Sequence, residues 1–146
     1  MYMHGPMTTE PLLQLALGVR DLKNRAAAKK LSLTFVQENV STLGDLQRFA
    51  QDKHNDVDMR ARACWLLSLV DSKSSCGRLL IGLLQDENDL MMAEAAKLLG
   101  DIGYRPSVRA LLNCLEYPSP FRRRMAAHAL GFLYENSTAR ANSEFS

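Results

Sequence analysis

The sequence predicts an all-α protein built from repeated helix pairs, and two observations carry that prediction. First, Ala63-Cys64-Trp65-Leu66-Leu67-Ser68 recurs as Ala95-Ala96-Lys97-Leu98-Leu99-Gly100, and again as Ala126-Ala127-His128-Ala129-Leu130-Gly131, at offsets of 32 and 31. Second, no stretch shows the period-two alternation of a half-buried strand, and no Asn-Gly hairpin dipeptide occurs. A weaker copy of the first segment lies upstream at Ala27-Ala28-Lys29-Lys30-Leu31-Ser32, offset 36. A second segment tracks the first: Leu79, Leu80 and Leu83 match Leu111, Leu112 and Leu115 at offset 32. Two separate stretches sharing nearly one interval mark an internal repeat rather than a chance likeness.

Each element follows from its local pattern. Residues 9–18 read as a helix carrying Leu12, Leu13, Leu15, Ala16 and Leu17. Residues 21–37 are the first helix of the weak copy. Its partner is expected at 42–53, with Leu43, Leu46, Phe49 and Ala50 on one side and Thr42 and Asp45 placed as a capping box. In the clear copies, Met59, Ala63, Leu66, Leu67 and Val70 form one amphipathic stripe, and Met91, Ala95, Leu98, Leu99 and Ile102 form the next. Asn88 and Ser119 stand where an N-cap oxygen accepts from free amides, and Pro120 follows at the first helical position. The second helices are expected over about 75–85 and 106–116, with Pro106 opening the later one. Ala63, Ala95, Ala126, Gly100 and Gly131 permit close helix approach, and the leucines fill the space between layers. Phe132, Leu133 and Tyr134 are expected to dock on Leu111 and Leu115. From residue 135 the chain turns polar and is expected to be a frayed, disordered tail.

Composition narrows the class. The chain has 146 residues, 47% hydrophobic and 23% charged, which is enough apolar material for one core. A net charge of +2 argues against binding dominated by nucleic-acid phosphates. No apolar run reaches the roughly 18 residues of a membrane span, and residues 1–9 lack a basic-then-apolar signal pattern. Cys64, Cys76 and Cys114 are an odd number without a CxxC, and read as reduced thiols in a cytoplasmic protein.

These repeats resemble the short HEAT-like repeat, the type also found in phycobilisome-lyase proteins. The family pattern is an Asp, two to four residues, Val-Arg, two residues, then Ala-Ala-x-Ala-Leu-Gly. Arg60 and Arg123 stand three residues before the alanine as the family's Arg does, with Asp56 and Asp58 ahead of the first. Met92 replaces the Arg in the middle copy, Arg122 occupies the usual Val position, and the weak copy has Asn24 where Arg belongs. The resemblance spans residues 20–134 and is strong from 56 on. It implies a right-handed α-solenoid, here of about three and a half helical-hairpin repeats and about eight helices. It also implies that Arg60 and Arg123 pair with a loop Asp of an adjacent repeat, setting the register of the stack. It implies no activity, because members include scaffolds, lyases and nucleic-acid binders. A single domain is expected over 1–134, with irregular helices at 9–53 and clear repeats at 56–134.

No candidate chemistry converges. Asp52, His54, Asp56 and Asp58 alternate in one loop, but an EF-hand would want Gly and Glu where Val57 and Ala63 stand, so they read as solvated caps and no metal is expected. No Cys/His spacing suits zinc. Cys64 and Cys114 have no base placed beside them by sequence, so no catalytic residue and no cofactor are expected. Arg122-Arg123-Arg124 point in directions about 100° apart on a helix and do not form one patch. Trp65 falls at a slot occupied elsewhere by Lys97 and His128; it is either covered by the N-terminal helices or available to a partner.

The second helices of such stacks line the concave surface. Arg78, Ile81 and Gln85, then Arg109 and Asn113, with Arg48 extending the row, are the expected partner-binding residues, together with Trp65. The predicted function is a non-catalytic protein-interaction module or scaffold. The alternatives are a phycobilin-lyase-like enzyme or lyase subunit, and a nucleic-acid-binding HEAT-like protein. The last repeat lacks its second helix, which points to self-association through that end, a docked partner, or a longer parent chain.

Overall fold

The computed structural model describes Lys30 and residues 42–145, with side chains described for Lys30 and 43–135. The helices expected at 9–18 and 21–37 lie outside the described residues, apart from Lys30, which is helical and exposed. Among the described residues there are six α-helices, one 3₁₀ turn and no strand: α1 Thr42–Gln51, α2 Val57–Val70, α3 Lys73–Leu83, α4 Asp89–Ile102, the turn Arg105–Ser107, α5 Val108–Cys114 and α6 Pro120–Phe145. The chain divides into two compact units, Met1–Ser72 and Lys73–Ser146.

In the first unit, α1 packs on α2 as an antiparallel pair. Gln47 Nε2 donates to Asp71 Oδ2 at 3.1 Å, tying the start of α1 to the end of α2. At the other end Asn55 Nδ2 donates to the Phe49 carbonyl at 3.2 Å. Leu46 and Ala50 of α1 are buried with Ala63, Cys64, Leu66, Leu67 and Leu69 of α2. Asp56 caps α2 by accepting the Met59 N–H at 3.2 Å. The first helix ends at Gln51, two residues before the expected 53, and Asp45 pairs with Arg48 one turn on.

In the second unit α4 is the central element, packed on α3 and α6. Asn88 caps it as expected, accepting from Leu90 and Met91. The helix buries the expected stripe of Met91, Ala95, Leu98 and Leu99, and also a second stripe of Met92, Ala96 and Gly100. That second stripe meets α6: a Cβ on Gly100 would lie 3.5 Å from Phe132 Cβ and 3.6 Å from the Ala129 carbonyl. Gly103 then ends α4 with φ 67°, in the left-handed region that favours glycine. The Tyr104 N–H reaches back to the Leu99 carbonyl at 3.2 Å, closing the terminus.

Four expectations are corrected here. Pro106 sits in the 3₁₀ turn, and α5 starts only at Val108. Phe132, Leu133 and Tyr134 do not dock together: Leu133 is buried, Phe132 lies beside Gly100, and Tyr134 is 73% exposed. Successive helical residues point about 100° apart, so three in a row cannot share one face. The offset between the second helices is 31, not 32, because buried Leu80 aligns with buried Leu111 and exposed Arg78 with exposed Arg109. Finally, α6 continues through Phe145, past the expected end at 134. That stretch contains neither Pro nor Gly, and Glu135, Ala139, Arg140 and Ala141 are good helix formers.

Ala95 is fully buried whereas Lys97, two residues on, is exposed. Ala95→Leu overpacks this layer and is expected to cost roughly 1–3 kcal/mol of stability. Lys97→Leu is expected to stay within about 0.5 kcal/mol of wild type. Urea unfolding of the two variants checks the helical phase.

Candidate functional site

The second helices of the Lys73–Ser146 unit, α3 and α5, are linked at two points through the segments that flank α5. Gly77 in α3 lies so close to the Tyr104 ring that a Cβ would fall 2.4 Å from it, and Tyr104 leads directly into the turn before α5. Beyond the other ends, the Tyr117 hydroxyl donates to the Leu84 carbonyl at 3.3 Å. Gly77 is the fifth of the eleven residues of α3 and Leu84 follows its last, so the two contacts come in the same chain order on both segments. The inner sides of both helices are buried through Cys76, Leu80 and Leu83, and through Leu111 and Cys114.

The outer sides carry the residues that sequence singled out. Arg78, Gln85, Arg109 and Asn113 are exposed and Ile81 is half-buried. Leu112, which sequence reasoning placed in the core stripe, is 50% exposed; the corrected offset aligns it with Ile81. Gly82 is exposed, with nothing within 4 Å of where its Cβ would be. Gln85 is also a hydrogen-bond partner of Tyr117. Arg48 and Trp65 belong to the first unit. The Arg48 side chain is 73% exposed and pairs with Asp45. Trp65 is half-buried and packs against Leu69 of its own helix, and the N-terminal helices expected to cover it lie outside the described residues.

The arginines expected to fix the repeats bind backbone carbonyls. Arg60, 2% exposed, donates from Nε to the Ala50 carbonyl at 3.0 Å, at the end of α1. A cation there also meets the negative end of the helix dipole. Arg123 is a correction: its Nη1 donates to the Tyr117 and Pro118 carbonyls at 2.6 and 2.9 Å, in the loop ahead of its own helix. Asp58 pairs with Arg62 at 3.1 Å, while Asp56 serves as the N-cap of α2. Asp52 accepts the His54 N–H at 2.9 Å. The alternating acidic loop is therefore a set of caps and turns, and no cluster of three metal-ligating side chains occurs among the described residues.

The carboxylate pair between repeats is made by Arg122, which sequence noted only as a departure from the family pattern. Its Nε meets Asp89 Oδ1 at 2.7 Å, and its Nη2 donates to the Asp86 carbonyl. The guanidinium carbon sits 5.7 Å from the centroid of the Tyr117 ring. Asp89 precedes Arg122 by 33 residues, so the contact spans one repeat. An Arg one repeat interval downstream of the Asp in the first turn of α4 was the available signal.

Tyr117 links this clamp to Cys114, to which it is hydrogen-bonded. Burial raises the Cys114 thiol above its ordinary 9.0, opposed by the Tyr117 hydrogen bond and by Arg122. Burial, with the Cys114 hydrogen bond, also raises the Tyr117 phenol above its ordinary 10.0. The folded protein thus holds both protons more tightly than the unfolded chain does. That contribution is complete below the ordinary values and is lost as pH rises through the raised ones. A buried, protonated thiol is a poor nucleophile.

Paired helices repeating at a near-constant interval, with an Arg clamp across one repeat, define a helical-repeat protein. Residues 77–141 match the family model described as HEAT repeats, so the helix pairs of this stretch are HEAT repeats. The chain is also similar to the phycocyanobilin lyase subunit alpha of Nostoc sp., 33% identical over 111 residues, which are 70% of this chain and 40% of the relative. It therefore spans less than half the length of that protein. No helix among the described residues is long and apolar enough to cross a membrane.

Arg122→Ala is expected to cost roughly 1.5–3 kcal/mol, since charge-assisted hydrogen bonds are lost from a side chain only 13% exposed. Exposed Arg124→Ala serves as the near-neutral control. Stability measured on either side of pH 9.0 should fall with rising pH, and fall less steeply in Cys114→Ala.

Proposed function

We propose that this chain is a non-catalytic HEAT-repeat module that binds a segment of another protein along the outer sides of α3 and α5. HEAT repeats suggest a protein-interaction or scaffold role, and residues 77–141 carry them. The observation that carries the proposal is the row of exposed Arg78 and half-buried Ile81 on α3, exposed Gln85 just past its end, and exposed Arg109 and Asn113 on α5, two helices whose opposite sides are committed to the core. Successive rungs of a repeat give a long partner several equivalent points of contact. In the first unit Arg48 shares its charge with Asp45 and Trp65 is half-covered by Leu69, so the reading rests on the second unit. Buried Cys64, Cys76 and Cys114, none in a disulfide, support a reducing, cytoplasmic setting.

The likeness to a lyase subunit supports a second reading, in which the chain contributes to pigment attachment as part of a larger assembly. Self-association through α6 accompanies the first reading, supported by the exposure of Phe132 and Tyr134; light scattering that finds only monomer removes it.

The test is affinity capture from source extract with wild type, Arg109→Glu and Lys97→Glu. A captured protein is expected with wild type and Lys97→Glu and lost with Arg109→Glu. Retention by all three variants contradicts the assigned face. Purified chain mixed with phycocyanobilin is expected to leave the pigment spectrum unchanged; a shift in absorbance favours the lyase reading instead.

A further inference from the structure

Charge is segregated within the Lys73–Ser146 unit. The helix α3, the turn Arg105–Ser107 and the helix α5 contain Lys73, Arg78, Arg105 and Arg109 and not a single Asp or Glu. The acids of the unit lie elsewhere: Asp89, Glu94 and Asp101 are on α4, Asp86 and Glu87 follow the end of α3, Glu116 follows the end of α5, and Glu135 and Glu144 belong to α6. A net charge of +2 for the whole chain hides this separation. Neither Arg78 nor Arg109 forms an ion pair with another described residue, and both are exposed. At the corrected offset of 31 they are equivalent positions on neighbouring rungs.

We propose that this face binds an extended acidic segment, with two carboxylates about three residues apart taken by Arg78 and Arg109. This rests on the protein-binding reading above and names the chemistry of its partner. Neighbouring rungs of a helical stack stand roughly 8–10 Å apart, and a segment in the polyproline II conformation advances about 3.1 Å per residue with every third side chain on one face. Carboxylates three residues apart therefore match the separation of the two rungs. Beside the arginines, half-buried Ile81 and half-exposed Leu112 are equivalent positions on the two rungs, and next to Ile81 no atom lies within 4 Å of a Cβ on Gly82. An apolar side chain of the same segment fits there. Guanidinium groups suit carboxylates because both are planar and can meet through two parallel hydrogen bonds. Glu87 and Glu116 lie past the trailing ends of the helices, so they repel an acidic segment that shifts in that direction and set its register.

The test uses the full chain, immobilised and panned against a random peptide library displayed on phage. Wild type is expected to select peptides enriched in Asp and Glu. Against the selected peptides, the double variant Arg78→Glu/Arg109→Glu is expected to bind on the order of tenfold or more weakly, the sum of two lost and reversed surface ion pairs. Gly82→Phe fills the open space and is expected to weaken the same peptides while leaving the helical circular dichroism and urea midpoint intact. Selected peptides without acidic enrichment, or unaffected by the double variant, overturn the acidic assignment and leave the protein-binding reading standing. Recovery no higher than from a bare surface overturns both.

Discussion

The second unit depends on how closely α4 and α6 can approach. Met92, Ala96 and Gly100 form a stripe on α4 that is buried throughout, and at Gly100 the neighbouring helix comes within ordinary contact of an absent side chain. Small residues here serve packing density rather than flexibility: each methylene left out of the contact lets the two backbones move together and the leucines beside them interlock. Helix α6 packs against α5 as well as α4, and α3 packs against α4, so α4 and α6 between them take up the inner sides of α3 and α5. The outward rows of those two helices exist only because their inward rows are committed to this core.

Arg122 supplies what apolar packing lacks, a directional contact. Apolar layers tolerate sliding by a turn, whereas an Arg that meets Asp89, the Asp86 carbonyl and the Tyr117 ring at once has one acceptable register. The family pattern directed attention to Arg60 and Arg123, and both satisfy backbone carbonyls at helix ends. The position one residue before Arg123 took over the carboxylate because α6 leaves its preceding loop with residue 122 turned toward α4. A helix rotates its residues in steps of about 100°, so a one-residue change of role is a change of face.

The fold was legible because its signal is periodic. The repeated alanine-then-leucine segments and Asn88 and Ser119 as caps are local features that any helix of this kind must carry. Less was legible wherever a choice of face or register depends on a distant segment. Matching leucines gave the second helices an offset of 32, and only burial separated it from 31. Leu112 looks like core in sequence and stands half-exposed. Of the binding face, the individual residues were readable, but the grouping of four cations without an acid emerges only when α3, the 3₁₀ turn and α5 are known to lie together.

Gly100 and Gly131 occupy equivalent positions in successive repeats, one facing a neighbouring helix and the other open space. Comparing the urea unfolding of Gly100→Leu with that of Gly131→Leu therefore tests the close-approach account most directly. Leucine at 100 is expected to cost roughly 1–3 kcal/mol or more through overpacking, whereas leucine at 131 is expected to gain about 0.5–1 kcal/mol from helix propensity. Equal effects at the two glycines would contradict the account, because they would show that no helix lies against the small-residue stripe of α4.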